Sequence, residues 1–234
     1  KESDIKSEDD QPKTRSYIFK KRILYVGIID HTGKMVIDCI YNSLKYQPAY
    51  DLIIANYEGL HGIIDKTGNV ILPFNDKYIY IDDFDENGIA TIEFIYTYKS
   101  KFGLVDTSGK IITDDWYDII HKFVNGFARV KNDELLGAIN LNGQLVVEVK
   151  YTVMSDFNPK GLAGVGLNKS YGIVDSNGLE IIPLCFNGIS DQDGNFLVYF
   201  GNESAVVDYN GNCIDEKKKD SYKAHLRNYF NKKR

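Results

Sequence analysis

Short apolar runs alternate with polar turns along nearly the whole chain, and one arrangement of them recurs. It reads Gly, two apolar residues, Asp or Asn, two variable residues, Gly. Copies begin at Gly27, Gly62, Gly103, Gly137 and Gly172, and a degenerate one at Ala205. The apolar pairs are Ile28/Ile29, Ile63/Ile64, Leu104/Val105, Ala138/Ile139, Ile173/Val174 and Val206/Val207. The starts lie 35, 41, 34, 35 and 33 residues apart, counted along the sequence. A near-constant period of this length marks solenoids, propellers or arrays.

Each period carries three strand signals. The first is a Gly-initiated run such as Gly161-Leu162-Ala163-Gly164-Val165, matched by Gly88 to Ile92 and Gly126 to Val130. The Gly-x-x-Asp run is the second. The third is a run such as Leu179-Glu180-Ile181-Ile182-Pro183, matched by Asn69 to Pro73 and Lys34 to Ile37. Adjacent apolar residues in a strand point to opposite faces, so both faces of each small sheet need a cover. Connectors rich in aromatic and acidic residues, such as Trp116 to Phe123 and Tyr151 to Phe157, offer a short fourth strand.

The turn after each Gly-x-x-Asp run has a mechanism. An Asp or Asn side-chain oxygen accepts a hydrogen bond from the backbone two residues on, and the following Gly takes positive φ at little cost. Asp30 with Gly33, Asp65 with Gly68, Asp106 with Gly109, Asn140 with Gly143, Asp175 with Gly178 and Asp208 with Gly211 are therefore read as structural turn residues. A calcium ladder is the competing reading, and Asn140 interrupts it. The pattern predicts an all-β fold of tandem small antiparallel sheets. A six-bladed propeller-like ring, which leaves no edges open, is favoured over an open solenoid-like stack. Against the ring, the first and last copies are the most degenerate, as terminal caps of an open stack would be.

The ends differ in kind. Residues 1–16 are polar and expected to be disordered, residues 17–214 hold the six repeats, and residues 215–234 form a basic tail. In the tail, Tyr222, Leu226, Tyr229 and Phe230 fall on one helical face, which predicts a short helix capping the last repeat. Export, after removal of a secretory or lipoprotein signal, is the expected route for a chain opening on such a segment, with a cytoplasmic location as the alternative.

Composition changes this picture only by exclusion. The 234 residues are 43% hydrophobic with a net charge of -5, so a core is available and nucleic acid is not an expected partner. No apolar run spans a bilayer, which leaves a lipid anchor, a removed signal or the basic tail as the routes to a membrane. Cys39, Cys185 and Cys213 are too scattered for a metal cluster or a disulfide framework. Cys39 and Cys185 follow apolar strands and are read as buried small hydrophobes. His31, His61, His121 and His225 share no ligand spacing. His31 is read as solvated and His61 as packed or half-buried. No nucleophile elbow or phosphate loop is present, so neither catalysis nor a cofactor is expected.

Residues Phe157 to Val165, followed by Tyr171-Gly172-Ile173-Val174-Asp175-Ser176-Asn177-Gly178 and Ile181-Ile182-Pro183, resemble the bacterial WG repeat, also called KWG. Phe123 to Val130 with Gly137 to Gly143, and Phe84 to Ile92 with Gly103 to Gly109, are similar copies. The resemblance spans about residues 17–214 and is sharpest in the middle copies. It implies an all-β repeat protein, often exported or surface-linked, with no shared catalytic residues. The Trp that names the family is absent, since its positions hold Val26, His61, Phe102, Leu136, Tyr171 and Ser204.

Two functions from different classes follow. One is a non-catalytic interaction module presenting a repeat-built surface to a protein or cell-envelope partner. The other is a glycan or small-molecule binder using connector aromatics, with Tyr78, Tyr80, Tyr96, Tyr98, Trp116, Tyr117 and Tyr151 as candidates. Packing between repeats competes with a binding role for all of them. A binding site should break the repeat symmetry, and the least regular region is residues 74–100.

Overall fold

The computed structural model describes residues 24–96, 99–192 and 195–232. Among these the chain forms six antiparallel sheets in chain order and one helix. The first sheet is the hairpin of β1 (Val26–Ile29) and β2 (Met35–Tyr41). The second runs β3 (Ser43–Gln47), β4 (Leu52–Tyr57), β5 (Leu60–Asp65), β6 (Val70–Asn75). The third has β7 (Tyr78–Ile81), β8 (Ile89–Tyr96) and β9 (Lys99–Asp106). The fourth has β10 (Ile119–Ile120), β11 (Phe127–Asn132), β12 (Leu135–Asn140) and β13 (Leu145–Tyr151). The fifth has β14 (Val153–Met154), β15 (Leu162–Leu167), β16 (Ser170–Asp175) and β17 (Glu180–Phe186). The sixth has β18 (Gly188–Gln192), β19 (Asn195–Phe200) and β20 (Glu203–Val207), and helix α1 (Lys219–Lys232) follows it. The polar segment 1–16, Tyr98 and the last two basic residues lie outside the described residues.

The connectors supply a short strand, and it pairs forward: β3, β7, β10, β14 and β18 each bond to the strand that follows. The motif glycine sits where the ladder to the next strand shifts register. In the fifth sheet Tyr171 pairs with Phe186 and Ile173 with Ile182, and a Cβ on Gly172 would lie 2.5 Å from the Ile182 carbonyl oxygen. Only glycine lets the bulged strands come that close. The sixth copy holds Ala205, and its third strand shrinks to the single bridge Val207–Cys213.

The two apolar residues of each motif serve different neighbours. Ile63 packs towards the third sheet with Leu72, Ile92 and Val105, whereas Ile64 packs towards the first with Ile37, Tyr41 and Ile53. Five such clusters join successive sheets, and among the described residues none combines the sixth with the first. Each fully buried aliphatic side chain in them contributes about 1.5–3 kcal/mol. Turn glycines set the spacing between sheets. A Cβ on Gly143 would overlap the Ile112 carbonyl of the preceding sheet, one on Gly109 that of Ile71, and one on Gly178 would lie 2.5 Å from the Val146 oxygen.

Helix α1 closes over the last junction. Tyr222 stacks on Phe186 at 5.8 Å, its hydroxyl donates to the Gly211 carbonyl at 2.8 Å, and the His225 ring meets the Cys185 carbonyl at 2.9 Å. Leu226 packs against the same cluster, while Phe230 is exposed. Cys39 corrects an expectation: it is exposed, with Sγ 3.1 Å from the Tyr25 carbonyl oxygen. Twelve residues after the motif glycine, the same position holds Phe74, Val149 and Leu184 in later sheets, each packed in the cluster shared with the sheet before. The first sheet has no described sheet before it, so Cys39 faces solvent. Cys185 is partly buried and Cys213 buried.

Candidate functional site

The turn residues act locally. Asp65 Oδ1 accepts the Thr67 amide at 2.8 Å, the Thr67 hydroxyl at 2.7 Å and the Asn69 amide at 2.9 Å. Asp30, Asp106, Asn140, Asp175 and Asp208 accept from the amides two and four residues on in the same way. The side-chain oxygens of all six thus point into their own turns. Gly33, Gly68, Gly109, Gly143, Gly178 and Gly211 all take positive φ there. Two further turns escaped the reading, at Asp85 and Asn158. Their signal was present as the same Asx-x-x-Gly spacing, to Gly88 and Gly161.

The aromatic candidates divide. Tyr117 is 2% exposed and Tyr151 1%, and both belong to clusters between sheets. Burial, with Asp115 and Asp114 nearby, pushes the Tyr117 phenol up to about 12. Tyr78 meets Phe94 edge-on at 5.1 Å, and Phe94 packs against Trp116, whose ring fills the space beside Gly103. Tyr80 is exposed beside His61. Tyr96 closes the β8–β9 ladder opposite Lys99, and Tyr98 is outside the described residues. Trp116 and Phe94, with Lys77 and Ile95, line a small pocket of about 370 Å³. His61 is half-buried, with Nε2 2.9 Å from Asn56 Nδ2, and its pKa is lowered by burial. His31 is exposed in its turn.

Repeat symmetry breaks at the junction of the third and fourth sheets. After β9 the third sheet has only the bridges Val105–Ile111 and Phe102–Tyr117 in place of a last strand. Thr113, buried there, accepts the Leu104 amide on its hydroxyl at 3.1 Å. Two hollows that share Asn87 and Ile89, of about 550 and 690 Å³, lie at this junction, and Lys110, Ile112 and Asp114 of the shortened edge line the larger. One wall of the smaller carries Asp82, Asp83, Asp85 and Glu86, and the other His121, Lys122 and Phe123. Asp83 is engaged: Lys45 Nζ reaches it at 2.6 Å and Gln47 Nε2 at 2.7 Å, which holds its carboxyl below the usual range and ties the second sheet to the third. Asp85 is engaged in its own turn. Exposed Asp82 and Glu86 give the wall its outward negative charge. His121 is partly buried, and that burial, with Arg129 next in effect, lowers its pKa. Among the described residues no group of three or more His, Cys, Asp or Glu side chains is placed to hold a metal ion. Among the described residues no helix is long and apolar enough to cross a membrane.

These features define an all-β tandem-repeat protein. The chain belongs to the WG containing repeat family, whose model matches residues 27–60, 62–94, 102–135 and 137–170, more than half of the chain. The matched units straddle the sheets. Residues 27–60, for example, supply most of the hairpin of the first sheet and then β3 and β4 of the second, so each unit ties one sheet to the next. The copies at Gly172 and Ala205 lie beyond the matched units, although the fifth sheet is complete. No curated protein matches the chain in sequence. In structure it is similar to Hsv2 of Kluyveromyces lactis at 12% identity, over 73% of this chain and 61% of that one, with a TM-score of 0.33. It is also similar to PorZ, a surface component of the type-IX secretion system of Porphyromonas gingivalis, at 10% identity over 70% and 26% of the chains, with a TM-score of 0.31.

Proposed function

We propose that the chain is a non-catalytic interaction module that receives a basic segment of a protein or cell-envelope partner in the cleft between its third and fourth sheets. One observation carries the reading: the cleft lies where the repeat symmetry breaks, and one of its walls is acidic. Structural demands hold Asp83 and Asp85 in place, while exposed Glu86, and exposed Asp82 through the oxygen that does not accept the Asp83 amide, face a partner. Opposite charge steers encounter and selects register more than it adds affinity, which suits a broad repeat-built surface. An exported or surface-linked setting belongs to the same proposal. So does an open array of sheets rather than a ring closed within one chain, a choice supported by the exposure of Ile29.

A second reading rests on the pocket beside Trp116 and Phe94, where a sugar ring could stack. The two are separated by probing a displayed random-peptide library and a glycan array with the whole chain. Lys- and Arg-rich peptides that lose binding to an Asp82→Lys, Glu86→Lys double variant would support the first. Glycan binding that falls with Trp116→Ala would move the assignment to the second. Selected peptides indifferent to the double variant would defeat the cleft as the site.

A further inference from the structure

We infer that the chain associates head to tail with a second copy of itself, the outer face of the first sheet docking on the outer face of the sixth. The molecule already joins its sheets at five such junctions, four of them with the turn glycine set on a carbonyl, and each end displays one half of that contact.

Three positions define the half that faces a preceding sheet. The second apolar residue of the motif is the first of them. Ile64, Val105, Ile139, Val174 and Val207 are all 0% exposed in clusters shared with the sheet before, yet Ile29 is 61% exposed. Next is the position of Phe74, Val149 and Leu184, which in the first sheet is the exposed Cys39. The third is the turn glycine. Gly109, Gly143, Gly178 and Gly211 close on the carbonyls of Ile71, Ile112, Val146 and Ile181 and Gly68 on the Ile37 side chain, whereas a Cβ on Gly33 would meet none of the described residues within 4 Å.

The sixth sheet displays the other half. Ile71, Ile112, Val146 and Ile181 each stand nine residues after their motif start, and nine after Ala205 stands Ile214. Its amide bonds the Val206 carbonyl at 2.9 Å, as that of Ile112 bonds Leu104 at 2.9 Å. The Ile112 carbonyl receives Gly143, while Ile214 is 48% exposed. Val206 takes the place of Ile63, Leu104 and Ile173, which face the following sheet, and Tyr199 beside it is exposed. Among the described residues one end therefore lacks a carbonyl row for its turn, and the other lacks a turn for its carbonyl row. Continuity with the internal interface is what favours a second copy of the chain. Because the two patches differ, the contact is heterologous and extends to a row of copies unless it closes.

The test is sedimentation of the whole chain over a concentration series, with Ile29→Asp and Ile214→Asp as variants. Both side chains are exposed, so unchanged circular dichroism and melting are expected at dilution. The wild type should move from monomer to dimer and longer species, each variant alone should stay monomeric, and an equimolar mixture should stop at the dimer. That mixture joins the intact sixth sheet of one variant to the intact first sheet of the other. Maleimide labelling of Cys39 should be fast in dilute wild type and slow in the associated form. The inference is overturned if the wild type stays monomeric throughout, if Cys39 is already protected in the dilute monomer because the chain covers its own face, or if either single variant still associates. Charge reversal at Asp82 and Glu86 should leave the association unchanged, so this result and that for the cleft stand apart.

Discussion

The first sheet and the second carry nearly the same motif, Gly-Ile-Ile-Asp, and the same turn. In the second, Ile64 is fully buried and Gly68 lies over Ile37 of the sheet before. In the first, Ile29 is mostly exposed and none of the described residues lies over Gly33. Local sequence makes the strand and the turn in both. A neighbour makes the core. In such an array stability is mostly a property of junctions, and a residue's contribution is read from what stands beside its sheet.

The largest contrast is expected at the turn glycines. Gly33→Ala and Gly143→Ala both force alanine into positive φ, which costs about 1–2 kcal/mol. At Gly143 the new Cβ would also overlap the Ile112 carbonyl, so two sheets must part. A loss above about 4 kcal/mol is expected there in urea unfolding of the dilute chain. Equal losses at the two positions would show that the turn does not dock on the preceding sheet.

The buried partner of the motif comes next. Ile64→Ala should cost about 2–5 kcal/mol, through lost transfer energy and the cavity left behind. Ile29→Ala should stay within about 0.5 kcal/mol in the dilute monomer. A large loss at Ile29 under those conditions would mean that the first sheet is covered within one chain.

Much of this was legible in the sequence because it is local. The period, the apolar pairs and the Asx-x-x-Gly turns depend on contacts a few residues apart, and the family's own repeat is written in them. Cys39 shows what was not. Its strand pattern is that of Leu184, and burial failed only because the sheet that would cover it is missing among the described residues. Tyr117 and Tyr151 suit a ligand site and inter-sheet packing equally in the sequence, and no property of a connector aromatic distinguishes the two before the sheets are placed. The cleft was half legible. The long interval points to residues 74–100, but the other wall comes from Ile120 to Phe123 of the next sheet, which only the placement of the fourth sheet brings opposite.

The smallest effect should be the one that does not distinguish the two sheets. Asp30 and Asp65 hold their turns through a side-chain oxygen, and Asn140 does the same in the fourth sheet without a charge. Asp30→Asn and Asp65→Asn should therefore each shift Tm at neutral pH by no more than about 2 °C, and by similar amounts. Their pH response should differ from that of the wild type. The hydrogen bonds from Thr32 and Thr67 hold the two carboxyls below the ordinary 3.8. A carboxyl with a depressed folded pKa adds stability that is present above the unfolded value and lost as pH falls through the folded one. The gap between wild type and either Asn variant should accordingly narrow below about pH 4. Thermal melts across that range read it directly. If Asp65→Asn cost far more than Asp30→Asn even in an Asn69→Lys background, which removes the local bond from Asn69 to Asp65, the turn too would depend on the neighbouring sheet, and the division between local turn and tertiary core drawn from the first two sheets would fail.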